Sequence, residues 1–72
     1  MSETIEIHTA FIRLDALLKF AAVVGTGGEA KTLIQEGEVA VNGETCTMRT
    51  KKLYPGDIVE VAGQRFAVGA AK

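Results

Sequence analysis

The chain lacks the parts that several kinds of protein need. Its one cysteine, Cys46, cannot close an internal disulfide or build a cysteine-based zinc site. No apolar run approaches the roughly 20 residues that a membrane-spanning helix requires. The first residues, Met1-Ser2-Glu3-Thr4, are acidic and do not show the basic-then-apolar pattern of a secretion signal. Together these point to the reducing cytosol. Net charge is also scarce, −1 over 72 residues. Such a balance argues against a nucleic-acid binder of the generally basic kind, unless the cations cluster.

What is present fits one small domain over residues 1–72, with a thin core. Nearly half the residues are apolar and a quarter are charged, a globular composition. Glu3 to His8 alternates, with Ile5 and Ile7 on one side, which predicts a half-buried strand. From Arg13 the period changes. Leu14, Leu17, Leu18 and Ala21 recur at helical spacing, and the helix is expected to fail near Val24-Gly25. After Gly25-Thr26-Gly27-Gly28 a second helix is expected from Gly28 to Glu36, with Ala30, Leu33 and Ile34 inward and Gly37 as its stop.

The rest reads as β-structure. Val39 and Val41 precede Asn42-Gly43, the strongest short hairpin signal, because a type I′ turn needs positive φ at both central residues. On the returning strand Cys46 and Met48 share a face that reads as buried. Thr45, Thr47 and Arg49 share the other, and Lys51 continues it if the strand persists. Pro55-Gly56 marks another turn, Ile58–Val61 a strand, Ala62-Gly63-Gln64 a turn, and Arg65–Val68 a last strand. Residues 69–72 read as a loose tail. The fold class is α+β: two helices on one side of a small, mainly antiparallel sheet of about four to five strands.

Arg49, Lys51 and Lys52 crowd the hairpin's exit, and no acidic residue lies between Glu44 and Asp57. Close like charges repel, so such a cluster either faces water or meets an anionic partner. Lys31 on the exposed side of the second helix and Arg13 at the start of the first are candidate neighbours. Thr26-Gly27-Gly28 opens a helix with free backbone N–H groups and little side-chain bulk, so it can receive a phosphate or simply allow a sharp turn. Its spacing is not that of a nucleotide P-loop. Tyr54 either covers the edge of the core or stacks a base; one isolated ring favours the core. Cys46 and His8 are the only soft metal ligands or nucleophile–base candidates, and both read as structural. Asp15 reads as a cap or a partner for Arg13 or Lys19. No spacing of acids suggests catalysis. The reading is therefore of no enzyme, no metal and no cofactor.

Taken in order, Arg13-Leu14-Asp15-x-x-Leu18-Lys19, Thr26-Gly27-Gly28-Glu29-Ala30-Lys31-x-x-Ile34, Gly37-x-Val39-x-Val41-Asn42-Gly43-Glu44 and Lys51-Lys52-Leu53-x-Pro55-Gly56-Asp57-x-Val59 resemble the S4 RNA-binding domain, most of all its short stand-alone bacterial members. The resemblance runs from about residue 11 to 61. It implies the αL motif, two short antiparallel helices packed on a small sheet, with RNA along the helices and the hairpin. The positions it implies for RNA contact are Arg13, Thr26, Gly27, Gly28, Lys31, Arg49, Lys51 and Lys52. Gly28 and Glu29 stand where many members carry arginine, and short relatives tend to have another basic residue near Met48. These departures favour modest affinity for one shaped RNA, or binding helped by a protein neighbour. The expectation is a monomeric, cytoplasmic, ribosome-associated protein that binds structured ribosomal or transfer RNA. The rival expectation is an adaptor that docks on proteins such as those of the ribosome.

Overall fold

The computed structural model describes residues 2–71. Its elements are β1 (Ser2–Ile7), β2 (Ile12–Arg13), α1 (Leu14–Phe20), α2 (Gly27–Gln35), β3 (Val39–Val41), β4 (Glu44–Thr45), β5 (Lys52–Leu53), β6 (Ile58–Val61) and β7 (Gln64–Ala70). Five strands form a sheet in the order β1-β7-β6-β3-β4, and β2 and β5 make a separate two-stranded ribbon. Every pairing is antiparallel except β1 with β7. The architecture is α+β, with two helices and a mostly antiparallel sheet, as the order of patterns predicts.

The core joins both periodicities. Ile5 and Ile7 from β1, Val39 and Val41 from β3, Val59 and Val61 from β6, and Phe66 and Val68 from β7 lie on the inner face of the sheet. Leu14, Leu17 and Leu18 of α1 and Ala30 and Ile34 of α2 cover it, all of them fully shielded from solvent. Leu33, expected inward with them, packs only partly buried. Each fully buried leucine contributes about 1.5–3 kcal/mol of transfer free energy, and a domain this small depends on every one of them.

Both helices end in the same way. In α2 the N–H of Gly37 donates to the Ile34 carbonyl (3.1 Å) and that of Glu38 to Leu33 (3.2 Å). Gly37 sits at φ 78°, the left-handed C′ role expected of it. In α1 the N–H groups of Ala22 and Val23 donate to Lys19 and Leu18 (both 3.0 Å), and Ala22 takes φ 60°. The first helix therefore stops at Phe20, before the expected Val24-Gly25. Here an alanine accepts the left-handed conformation, at a cost of about 1–2 kcal/mol. The reversal turns Val24 into the core. Helix α2 begins one residue earlier than expected because Thr26 caps it, its Oγ1 accepting from the Glu29 N–H at 3.2 Å.

Two further expectations are corrected. The strand after the hairpin ends at Thr45, so Cys46 is only partly buried and Met48 is 60% exposed. The carbonyls downstream are used elsewhere. Those of Arg49 and Lys51 accept from Asp15 (3.0 Å) and Leu14 (2.9 Å), the free N–H groups that open α1. The tail expected to be loose from Gly69 is strand through Ala70, with Gly69 opposite Glu6, Ala70 opposite Ile7 and the Ala71 N–H on the Ile7 carbonyl (2.9 Å). A Cβ at Gly69 would lie 3.0 Å from Thr4 Cγ2, so glycine lets β1 close over this part of β7. Lys72 lies outside the described residues.

Candidate functional site

The N-terminus of α1 shows how the basic segment is held. Leu14 and Asp15 donate to the carbonyls of Lys51 and Arg49, and the Ala16 N–H donates to Asp15 Oδ1 at 2.8 Å. Beside this cap, the ribbon sets Arg13 opposite Lys52 and Ile12 opposite Leu53. Residues about forty positions apart in the chain thus become cross-strand neighbours. The sequence held no sign of the ribbon, because two-residue strands are too short to show a period.

Lys52 and Lys51 line one groove with Tyr54, Met48, Glu44 and Asp57. Arg13 and Gly27 line another with Lys19 and Phe20. Thr26 and Gly28 lie on a third, with Glu29 and Thr32. Arg49 is exposed in the loop that caps α1, and Lys31 is exposed on α2. All eight expected contact residues are exposed. Arg13 joins Lys52 in the ribbon, Arg49 and Lys51 join the start of α1 through their backbones, and Gly27 shares a groove with Arg13. Lys31 lies one turn along α2 from Gly27 and Gly28, and among the described residues its side chain makes no ion pair.

Carboxylates are interleaved with these cations, but two of them are already engaged. Asp15 receives Arg13 Nη2 at 2.7 Å and Nε at 3.2 Å, the pairing that its position predicts. Asp57 accepts from the Tyr54 N–H (2.8 Å) and from Asn42 Nδ2 (3.2 Å). Among the described residues, Lys31, Arg49, Lys51 and Lys52 have no ion-pair partner. Arg13 is the partly neutralised member of the set.

Neither Gly27 nor Gly28 has positive φ, and a Cβ at Gly27 would meet nothing within 4 Å. The interhelical turn therefore does not itself require glycine at these positions. They leave the N–H groups at the start of α2 open to approach, with the Glu29 carboxylate 3.4 Å from Thr26 Oγ1 at one side.

The aromatic residues were the least legible part of the surface. Tyr54, expected at the core's edge, is 49% exposed and packs against Phe11, the ring centroids 6.1 Å apart. Lys52 Nζ stands 4.9 Å above the Phe11 ring. Phe20 is exposed on α1. Among the described residues no group of three or more His, Cys, Asp or Glu side chains could hold a metal ion, and no helix is long and apolar enough to cross a membrane.

Comparison with known proteins adds to this geometry. The S4 domain family model matches residues 5–69, which takes in the second half of β1 and nearly all of β7 as well as the helices and hairpins. The probable ribosome maturation protein RlbA of Bacillus subtilis is 46% identical over 63 residues, spanning 88% of this chain and 89% of that protein. The small ribosomal subunit protein uS4 of Hyphomonas neptunium is 43% identical over 49 residues, 68% of this chain but only 24% of that larger protein.

Proposed function

Because the chain belongs to the S4 domain family, we propose that it is a non-enzymatic RNA-binding protein that recognises structured RNA by shape and phosphate. The observation that carries this reading is the ribbon, which sets Arg13 beside Lys52 and brings the Lys51 and Arg49 backbones onto α1. Arg49, Lys51, Lys52 and Lys31 contact phosphates. Arg13, held by Asp15, orients the start of α1 and offers its remaining N–H groups. The Gly27 and Gly28 amides, with Thr26 beside them, receive one further phosphate at the positive end of α2. The two helices and the hairpin act as an αL motif, and the whole chain works as one monomeric domain.

Relatives named for ribosome maturation and for the small ribosomal subunit favour ribosomal over transfer RNA, and a cytoplasmic, ribosome-associated protein. An A-form helix displays its backbone more readily than its base edges, which suits a site built from cations and amides.

A salt titration tests the reading. With ~4 phosphate contacts, log affinity for a ribosomal RNA fragment falls against log salt with a slope of about −3. Lys51→Ala with Lys52→Ala weakens binding by about 10- to 100-fold and makes the slope shallower by about 1–2. Unchanged affinity and slope in that variant would remove the hairpin exit from the site.

A further inference from the structure

The β2–β5 ribbon has two faces. Side chains alternate along a strand, so Ile12 and Leu53 share one face and their chain neighbours share the other. The first face is inside: Leu53 is fully buried and Ile12 packs against the core. The second carries Arg13 and Lys52, with Phe11 and Tyr54 at the next position of the same register. The 6.1 Å ring contact and the position of Lys52 Nζ over Phe11 show that these side chains do share that face.

The two rings are more exposed than packing requires. The core closes without them, and Tyr54 and Phe11 remain 49% and 37% accessible. The rings are tilted by 52°, so they do not cover each other face to face. Lys52 occupies a face of Phe11, which leaves Tyr54 as the freer surface. Cations flank both rings. Of the carboxylates around them, Asp15 is engaged by Arg13 and Asp57 by Asn42 and the Tyr54 backbone, and Glu44 lines the same groove as Tyr54. A greasy protein partner would have to strip water from Arg13 and Lys52 to reach the aromatics. A nucleotide supplies a π-face for the ring and a phosphate for the cations together.

We infer that Tyr54, backed by Phe11, is a stacking site for an unpaired RNA base, and that the preferred ligand is a helical RNA with a single-stranded nucleotide beside it. This rests on the RNA-binding reading above and adds a requirement to it. Backbone contacts alone accept any A-form helix, whereas a stacking residue needs a base that has left its stack.

The test compares two probes on the full chain: an RNA hairpin with a short single-stranded 3′ extension, and the same hairpin with a blunt end. The parent chain is expected to bind the extended RNA about tenfold more tightly, the scale of one base stacked on an aromatic ring. Tyr54→Leu is expected to remove that preference, leave blunt-hairpin binding unchanged, and keep the salt slope, because no charge is lost. Tyr54 is the chain's one tyrosine and there is no tryptophan. Its fluorescence in the parent chain should therefore be quenched by the extended RNA and not by the blunt one, a readout that needs no variant. If Tyr54→Leu binds both RNAs like the parent and the fluorescence does not respond, while Lys51→Ala with Lys52→Ala still weakens binding, the stacking site is refuted and the phosphate site stands. If the parent binds neither RNA, both readings are overturned.

Discussion

The β3–β4 and β6–β7 hairpins close with the same two-residue turn, but among the described residues only the first is tied to another loop. Asn42 and Gly43 (φ 52° and 86°) close the first, and Ala62 and Gly63 (φ 53° and 74°) the second. The alanine shows that asparagine is not indispensable for this conformation. Asn42 therefore has a second task. Its Oδ1 accepts from the Ile58 N–H at 2.9 Å, and its Nδ2 donates to Asp57 at 3.2 Å. Asp57 also receives the Tyr54 N–H, closing the Pro55-Gly56 turn. The first hairpin is thus fastened to the loop that follows the basic segment. The second has a cross-strand pair, Glu60 with Arg65 at 3.6 Å, beside a surface groove that also includes Glu38. That groove holds more acid than base and is a poor place for phosphate.

The largest effect that separates the two ends is on RNA affinity. The Lys51→Ala, Lys52→Ala loss of at least about tenfold should have no counterpart at the other hairpin, where Arg65→Ala changes affinity for the same ribosomal RNA fragment by less than about twofold. Equal losses would mean that charge matters and position does not. Next in size is stability. Asn42→Ala removes two side-chain hydrogen bonds, leaves the Ile58 N–H without this acceptor and keeps a strained φ, for a cost of about 2 kcal/mol by urea denaturation. A cost no greater than that of an ordinary surface change would show that the fastening is idle. The reverse exchange, Ala62→Asn, relieves a left-handed alanine and should stabilise the fold by about 0.5–1 kcal/mol. A fall in the urea midpoint would show that position 62 is not strained. The smallest effect is that of Glu60→Gln, whose exposed ion pair should contribute less than about 0.5 kcal/mol in the same experiment.

The sequence was readable wherever a residue type is tied to a local conformation. Gly37 at the end of α2 and Asn42-Gly43 in the hairpin stand where their chemistry placed them. Ala22 performs the task of Gly37 at the end of α1, but alanine carries no mark of it, so the sequence predicts a longer helix than the structure has. The alternation through Met48 looked like a continuing strand, because nothing local reveals that the Arg49 and Lys51 carbonyls are needed at α1. The β1–β7 pairing joins Ser2 to Arg65 and was equally hidden, since it depends on chain closure over the whole length between them. For the candidate site, charge spacing identified the cations. It missed Phe11 and misplaced Tyr54, whose surroundings are set by the ribbon.

The parallel pairing of β1 with β7 has a consequence for biosynthesis. Translation delivers Ile5 and Ile7 early, yet the strand they lean against, from Gln64 to Ala70, emerges from the ribosome some sixty codons later. Until then those two isoleucines have no neighbour in the sheet, and a nascent chain stalled before Phe66 should remain open to protease at its beginning. Closure of this small fold therefore waits on residues some sixty positions further along the chain than the isoleucines they cover.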